Sequence, residues 1–174
     1  MKKVGIAIAI TALFALIGVF TYAALNNSAN VVKTAQSAPS TVSEQPKPPT
    51  RPELLTLVNA ERKKYGAKPL VIDERLNKSA QYKADDMVKY NYRAHVNPKT
   101  GMHGYEYINQ VGIYCKTDSE NLTWDSKTAK ESFNWWVHSK PHHLAMINKS
   151  YSLTGFGIAE QESYYFIVEH FCQV

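Results

Sequence analysis

Two cysteines in a chain of 174 residues are too few for a disulfide-built miniprotein, so stability must come mainly from a packed core. Neither follows the apolar N-terminal stretch, which argues against a lipid-modified N-terminus. The chain has no basic stripe either. Of its formal net charge of +5, two charges belong to Lys2 and Lys3, and the rest are scattered, so nucleic acid is not expected as a partner. There is no internal repeat. Ser139 lacks a Gly-x-Ser-x-Gly elbow and a base oriented by a third group, which speaks against a serine hydrolase. His138 and His142 stand four apart, a chelating spacing on a continuous helix, but Pro141 interrupts that helix.

What is present begins with Met1-Lys-Lys3 and an uncharged apolar stretch from Val4 to Tyr22. Lysines ahead of such a stretch mark an exported chain. Two fates are open for residues 1–25. Thr21-Tyr-Ala23 offers the small residues of a signal-peptidase site, whereas the length approaches the ~20 residues of a bilayer-spanning helix and tilts the reading toward an uncleaved membrane anchor. Residues 26–50, rich in Asn, Ser, Thr, Ala, Gln and Pro, read as a disordered stalk that cannot bury enough apolar surface to fold. Export puts Cys115 and Cys172 in an oxidising setting, where one bridge is expected, with two buried thiols as the alternative. The bridge would close a loop of ~55 residues and contribute roughly 3–4 kcal/mol.

The folded domain is expected over 51–174. Thr50-Arg-Pro-Glu53 reads as a capping box, followed by a helical face of Leu54, Leu55, Val58, Arg62 and Tyr65 that Gly66 stops. Lys68 to Ile72 is a short extended link. Asp73 caps a second helix with Leu76, Ala80, Ala84 and Met87 at helical spacing, ending near Asn91. A short helix from His103 ends at Gly112, and an extended segment leads to Glu120. Ser126 is the expected cap of a helix burying Ala129, Phe133, Trp136 and Val137, which Pro141 breaks. Strand patterns then run from Leu153 to Ala159 and from Tyr164 to Val174. In the last, Tyr165, Ile167, Glu169 and Phe171 share one face, and Phe166, Val168, His170 and Cys172 share the other. Helices followed by a hairpin make an α+β domain with a small antiparallel sheet.

Ser119-Glu120-Asn121 is the candidate centre. A carboxylate lies between His95 upstream and His142 downstream, the raw material of an acid/base or metal site. His95, Glu120 and His142 form a His2Glu set suited to Zn²⁺ or another divalent ion, and the alternative is a hydrogen-bonded cluster without an ion. His143 rivals His142, and adjacent side chains diverge, so at most one enters a cleft. His103 and His170 read as surface or structural residues.

The order of Leu55-Thr-Leu-Val-Asn-Ala-Glu-Arg62, Ala80 to Met87, Tyr92-Arg-Ala-His95, Ser119-Glu-Asn121, Trp136-Val-His-Ser139, Leu153-Thr-Gly-Phe-Gly157 and Phe166-Ile-Val-Glu169 resembles the CAP superfamily. That superfamily comprises the cysteine-rich secretory, antigen 5 and pathogenesis-related-1 proteins, and the likeness is to its single-domain prokaryotic type. The resemblance implies an α-β-α sandwich around a small antiparallel sheet, with a cleft of two histidines and two acids that binds zinc in some members. By position His95, Glu120 and His142 fall in that cleft, supported by Ser139 and Asn121. Ser119 replaces a usual glycine, and Lys140 stands where many members carry the second acid. Glu169, where prokaryotic relatives usually have glutamine, is the candidate to restore that charge.

Two functions follow as expectations. One is an exported, monomeric, non-enzymatic binding module for a lipid, cell-envelope or protein ligand. The other is a zinc-dependent hydrolase that uses His95, Glu120 and His142 for metal and Glu169 as general base.

Overall fold

The computed structural model describes residues 46–174. The expected leader over 1–25 and most of the expected stalk lie outside them. Five helices and four strands follow in the order α1 (Arg51–Lys64), β1 (Val71–Ile72), α2 (Glu74–Tyr90), α3 (Gly104–Gln110), β2 (Thr117–Ser126), α4 (Ala129–His138), α5 (Lys140–Met146), β3 (Leu153–Gln161) and β4 (Tyr164–Gln173). The strands form one sheet in the order β1-β3-β4-β2. β2 and β3 each pair antiparallel with β4, while β1 pairs parallel with β3 through Val71 and Ile72. The sheet is therefore mixed rather than purely antiparallel, because the short link after α1 adds itself to the edge.

The alternation of β4 separates two layers. Ile167 and Phe171 pack with Leu54, Val58, Phe133, Trp136 and Met146, which puts α1, α4 and α5 on one face. Phe166 and Val168 pack with Ala80, Ala84 and Met87 of α2, and Cys172 with Leu76 and Ile108 of α2 and α3. This is the α-β-α sandwich. α2 lies directly on β3 because Gly155 and Gly157 face it. A Cβ on Gly155 would stand 2.1 Å from the Leu76 carbonyl carbon, and one on Gly157 would stand 2.1 Å from the Ala80 oxygen.

β1 covers only Leu153 and Thr154, so the rest of β3's outer edge needs other partners. α2 supplies them. The amides of Phe156 and Ile158 donate to Asn77 and Gln81, the Gln81 amide donates back to the Ile158 carbonyl, and Arg51 donates to the Phe156 carbonyl.

Some local expectations are corrected. Thr50 does take the extended N-cap conformation, but its side chain makes no capping bond, so the Thr50/Glu53 box is not formed. Thr128, not Ser126, caps α4 by accepting from the Glu131 amide; Ser126 is the last residue of β2. Asp73 caps α2 through the Arg75 amide. Among the described residues no helix is long and apolar enough to cross a membrane. This corrects the membrane-anchor expectation as far as those residues go, and the segment that suggested it lies outside them.

Cys115 and Cys172 are bonded, with 5.3 Å between their Cα atoms and a sequence separation of 57. The bridge ties the approach to β2 to the end of β4. Replacing both cysteines with serine is expected to cost about 3–4 kcal/mol, read as a lower urea midpoint with the fold retained. An unchanged midpoint would refute that role.

Candidate functional site

β2 is an edge strand whose register against β4 pairs Glu120 with His170 and Asn121 with Glu169. Glu120 and His170 therefore share the face covered by α2 and α3, and Asn121 and Glu169 share the other. His170 is fully buried, and its Nε2 lies 3.0 Å from Glu120 Oε2. Its Nδ1 lies 2.8 Å from the Ser79 hydroxyl of α2. A carboxylate only accepts, so Nε2 donates to Glu120, while the Ser79 hydroxyl, whose one proton goes to the Leu76 carbonyl at 3.0 Å, meets Nδ1 with its oxygen. The second Glu120 oxygen lies 2.8 Å from His95 Nδ1, which therefore donates, on a half-exposed ring. A chain of hydrogen bonds thus runs Ser79–His170–Glu120–His95, from the core to the surface.

Burial pushes the Glu120 carboxyl up. Hydrogen bonds from His170 and His95, with the charges of His170 and Lys83, outweigh it and hold the group down at about 2. Gly104 at the start of α3 makes room for this: a Cβ there would meet Glu120 Oε2 at 2.8 Å. The turn from Tyr92 to Met102 that carries His95 is held from beneath. Fully buried Lys83 donates to the carbonyls of Ala94 and His95 and to the Tyr92 hydroxyl. Asp86 accepts from Tyr92, Tyr107 and Asn97. Burial lowers the Lys83 pKa, and Glu120 and Asp86 oppose that.

His142 approaches from α5. Asn121 donates to its carbonyl at 3.1 Å, and its ring lies 6.3 Å from that of His95, centroid to centroid. Burial first, and then the charge of His95, lower its pKa, favouring the neutral ring. His143 turns the other way, to Glu61 of α1 at 3.1 Å. Ser139 lies at the junction of α4 and α5 without a side-chain capping bond. It lines a cavity of about 240 Å³ together with Leu122, Thr123, Trp124, Trp135 and His142.

The geometry redraws the predicted set. Glu169 does not reach the cleft. It lies fully buried on the opposite face, where Thr154 donates to it at 3.2 Å. Burial raises its pKa well above the ordinary value against the Thr154 bond and the nearby Arg62 charge, so the protonated form is favoured. Its charge cannot replace the acid missing at Lys140. The intended metal ligands also do not fit the role together. Both oxygens of Glu120 are engaged by imidazoles, and among the described residues no three His, Cys, Asp or Glu side chains converge as ligands do. The residues missed from sequence are His170, Ser79, Lys83 and Asp86. Strand parity separates His170 from Glu169, but only the β2–β4 register reveals which of the two meets Glu120.

Comparison with known proteins places this architecture. A family model described as the cysteine-rich secretory protein family, CAP, matches residues 55–174. The chain belongs to the CAP family. Over 136 residues this CAP chain is 38% identical to the uncharacterized protein YkwD of Bacillus subtilis (strain 168), covering 78% of this chain and 51% of that protein. It thus spans about half the length of YkwD. An outer surface protein of Borrelia burgdorferi shares the fold with a TM-score of 0.65 and 21% identity, covering 71% of this chain and 94% of that one. So does an extracellular SCP-domain protein of Bacillus anthracis, with a TM-score of 0.62, 19% identity, and 71% and 40% covered.

Proposed function

We propose that this CAP domain is an exported, surface-associated and non-enzymatic module that binds a cell-envelope ligand in the cleft beside His95, Glu120 and His142. The observation that carries it is the engagement of Glu120 by two imidazoles. Both carboxylate oxygens hold imidazoles in place, and an apolar-walled pocket opens next to His142. A carboxylate so engaged, with its side chain only 8% exposed, is placed to organise a recognition surface by holding two imidazoles in position. The extracellular and outer-surface descriptions of similarly folded proteins support the location.

The zinc-hydrolase alternative requires a ligand set and a general base. Its proposed base, Glu169, lies on the other side of the sheet, and Glu120 is already committed. The test is the zinc content of the full chain beside a His95→Ala/His142→Ala variant, with turnover of ester, peptide and glycan substrates. The expected result is substoichiometric zinc in both and no turnover above background. Stoichiometric zinc that the double variant loses, with hydrolysis that a chelator abolishes, would replace the binding reading by the hydrolase.

A further inference from the structure

We infer that one end of the domain, where the C-terminus of α1 meets the turn between α5 and β3, docks on an anionic lipid surface. This is independent of what the cleft binds. Two stretches, residues 62–72 and 132–159, contain no aspartate or glutamate, and each carries lysines. They lie far apart in the chain, so no basic stripe is visible in the sequence. The fold joins them through one buried side chain. Arg62 is fully buried, and its guanidinium donates to the carbonyls of Lys68, Met146, Asn148 and Tyr151. Its donors are thus spent on backbone, and they gather both stretches at one end of the molecule. Lys149 Nζ comes within 3.8 Å of where a Cβ on Gly66 would stand. Lys63, Lys64, Lys68 and Lys149 are all exposed there. Glu61 pairs with Lys64 at 2.7 Å and with His143 at 3.1 Å. Among the described residues Lys63, Lys68 and Lys149 form no ion pair. Such uncompensated charge attracts an anionic surface.

The second observation is apolar. Tyr65, expected on the buried face of α1, is 47% exposed, and Leu144 is 54% exposed. Tyr65 meets His143 edge-on, with 5.0 Å between ring centroids, so it stands beside the residue that precedes Leu144. Large apolar side chains among lysines match a membrane interface. There a leucine enters the acyl boundary, a tyrosine ring sits at headgroup depth, and lysine stems lie along apolar surface with their charges in water. A soluble polyanion would engage the lysines and leave Tyr65 and Leu144 in water. The two acid-free stretches also present no exposed arginine, whose planar fork suits paired oxygens at fixed positions. Lysines act as point charges, which suits a fluid array of headgroups. α5 stands between this end and the cleft: the His142 ring approaches that of His95, and His143 turns to Glu61. Docking here sets the cleft beside the lipid surface.

The test uses the full chain with vesicles of phosphatidylglycerol and phosphatidylcholine in equal parts, or of phosphatidylcholine alone. Any contact of the N-terminal apolar stretch with lipid is common to both and cancels. Acetylation of each lysine by a water-soluble active ester is read by peptide mass spectrometry. On the mixed vesicles Lys63, Lys68 and Lys149 are expected to react about fivefold more slowly than on phosphatidylcholine, and exposed Lys78 and Lys89 of α2 at an unchanged rate. The protection should vanish in about 1 M salt, where the screening length falls to ~3 Å. Tyr65→Ser/Leu144→Ser, on exposed side chains, should lower the protection about threefold or more with every lysine kept and the melting temperature unchanged. Equal rates on the two vesicles, equal protection of Lys78 and Lys89, or indifference to the double substitution would overturn the assignment. Inorganic polyphosphate, added to the phosphatidylcholine sample, is expected to protect these lysines less than the mixed vesicles do. Equal protection by polyphosphate that survives the double substitution would replace the lipid surface by a soluble polyanion.

Discussion

Gly155→Ala is expected to cost more than 3 kcal/mol, and the Gly155→Ala/Gly157→Ala double variant is not expected to fold. The added methyl on residue 155 would lie 2.1 Å from the Leu76 carbonyl carbon and 2.2 Å from the Asn77 nitrogen. Both are backbone atoms of α2, so no side-chain rotation relieves the contact. Overpacking a core typically costs about 1–3 kcal/mol when side chains can move. Here the helix itself must lift from β3. Lifting it would also stretch the Asn77 and Gln81 bonds that satisfy the strand edge and draw Ser79 away from His170. Urea unfolding measures the first effect. Nitrogen-15 chemical shifts of the His170 ring report the second, because Nδ1 is hydrogen-bonded to the Ser79 hydroxyl. A Gly155→Ala variant within 0.5 kcal/mol of wild type would show that α2 does not rest on the strand as described.

Replacing Glu120 with alanine is the second large effect, with an expected loss of about 2–4 kcal/mol at pH 7. Most of it comes from leaving the buried Nε2–H of His170 without an acceptor, not from the lost attraction itself. The variant also predicts a change in pH dependence. The native carboxyl is held at about 2, below its ordinary 4.5, so between these values the unfolded chain binds more protons than the folded one. Stability from this group is therefore complete above about pH 5 and falls away toward pH 2. Its full worth is of order 3 kcal/mol. Wild type should lose the advantage over Glu120→Ala as melting curves are taken from pH 7 to pH 2.5. A constant difference between the two proteins across that range would contradict the pairing of Glu120 with His95 and His170.

Much of this protein was legible before any coordinates. The helical spacing and Asp73 cap of α2, the stop at Gly66, the strand alternation of 164–174 and the order of motifs that marks a CAP domain all depend on near neighbours or on linear order. The single bridge between Cys115 and Cys172 followed from count and export. Capping was less legible. The Thr50 box satisfies the pattern, yet its side chain makes no such bond, and Thr128 displaced Ser126 because β2 runs on through Ser126.

The centre of the cleft was decided elsewhere. Sequence alone determined that Glu120 is flanked in the chain by imidazoles, and that Glu169 and His170 point to opposite faces. It did not determine which of those two meets Glu120, because that depends on a register between strands fifty residues apart. In a sheet a slip of one residue exchanges the faces, and the register here is set by everything that packs on them. With Glu120 opposite His170, the buried imidazole joins the cluster and the buried acid is left to Thr154 and Arg62. Lys83 and Asp86 were equally silent, since charged residues on a helix read as solvent-facing until a turn folds over them. Local sequence specified the elements and their order; tertiary packing chose the histidine partners of the central carboxylate.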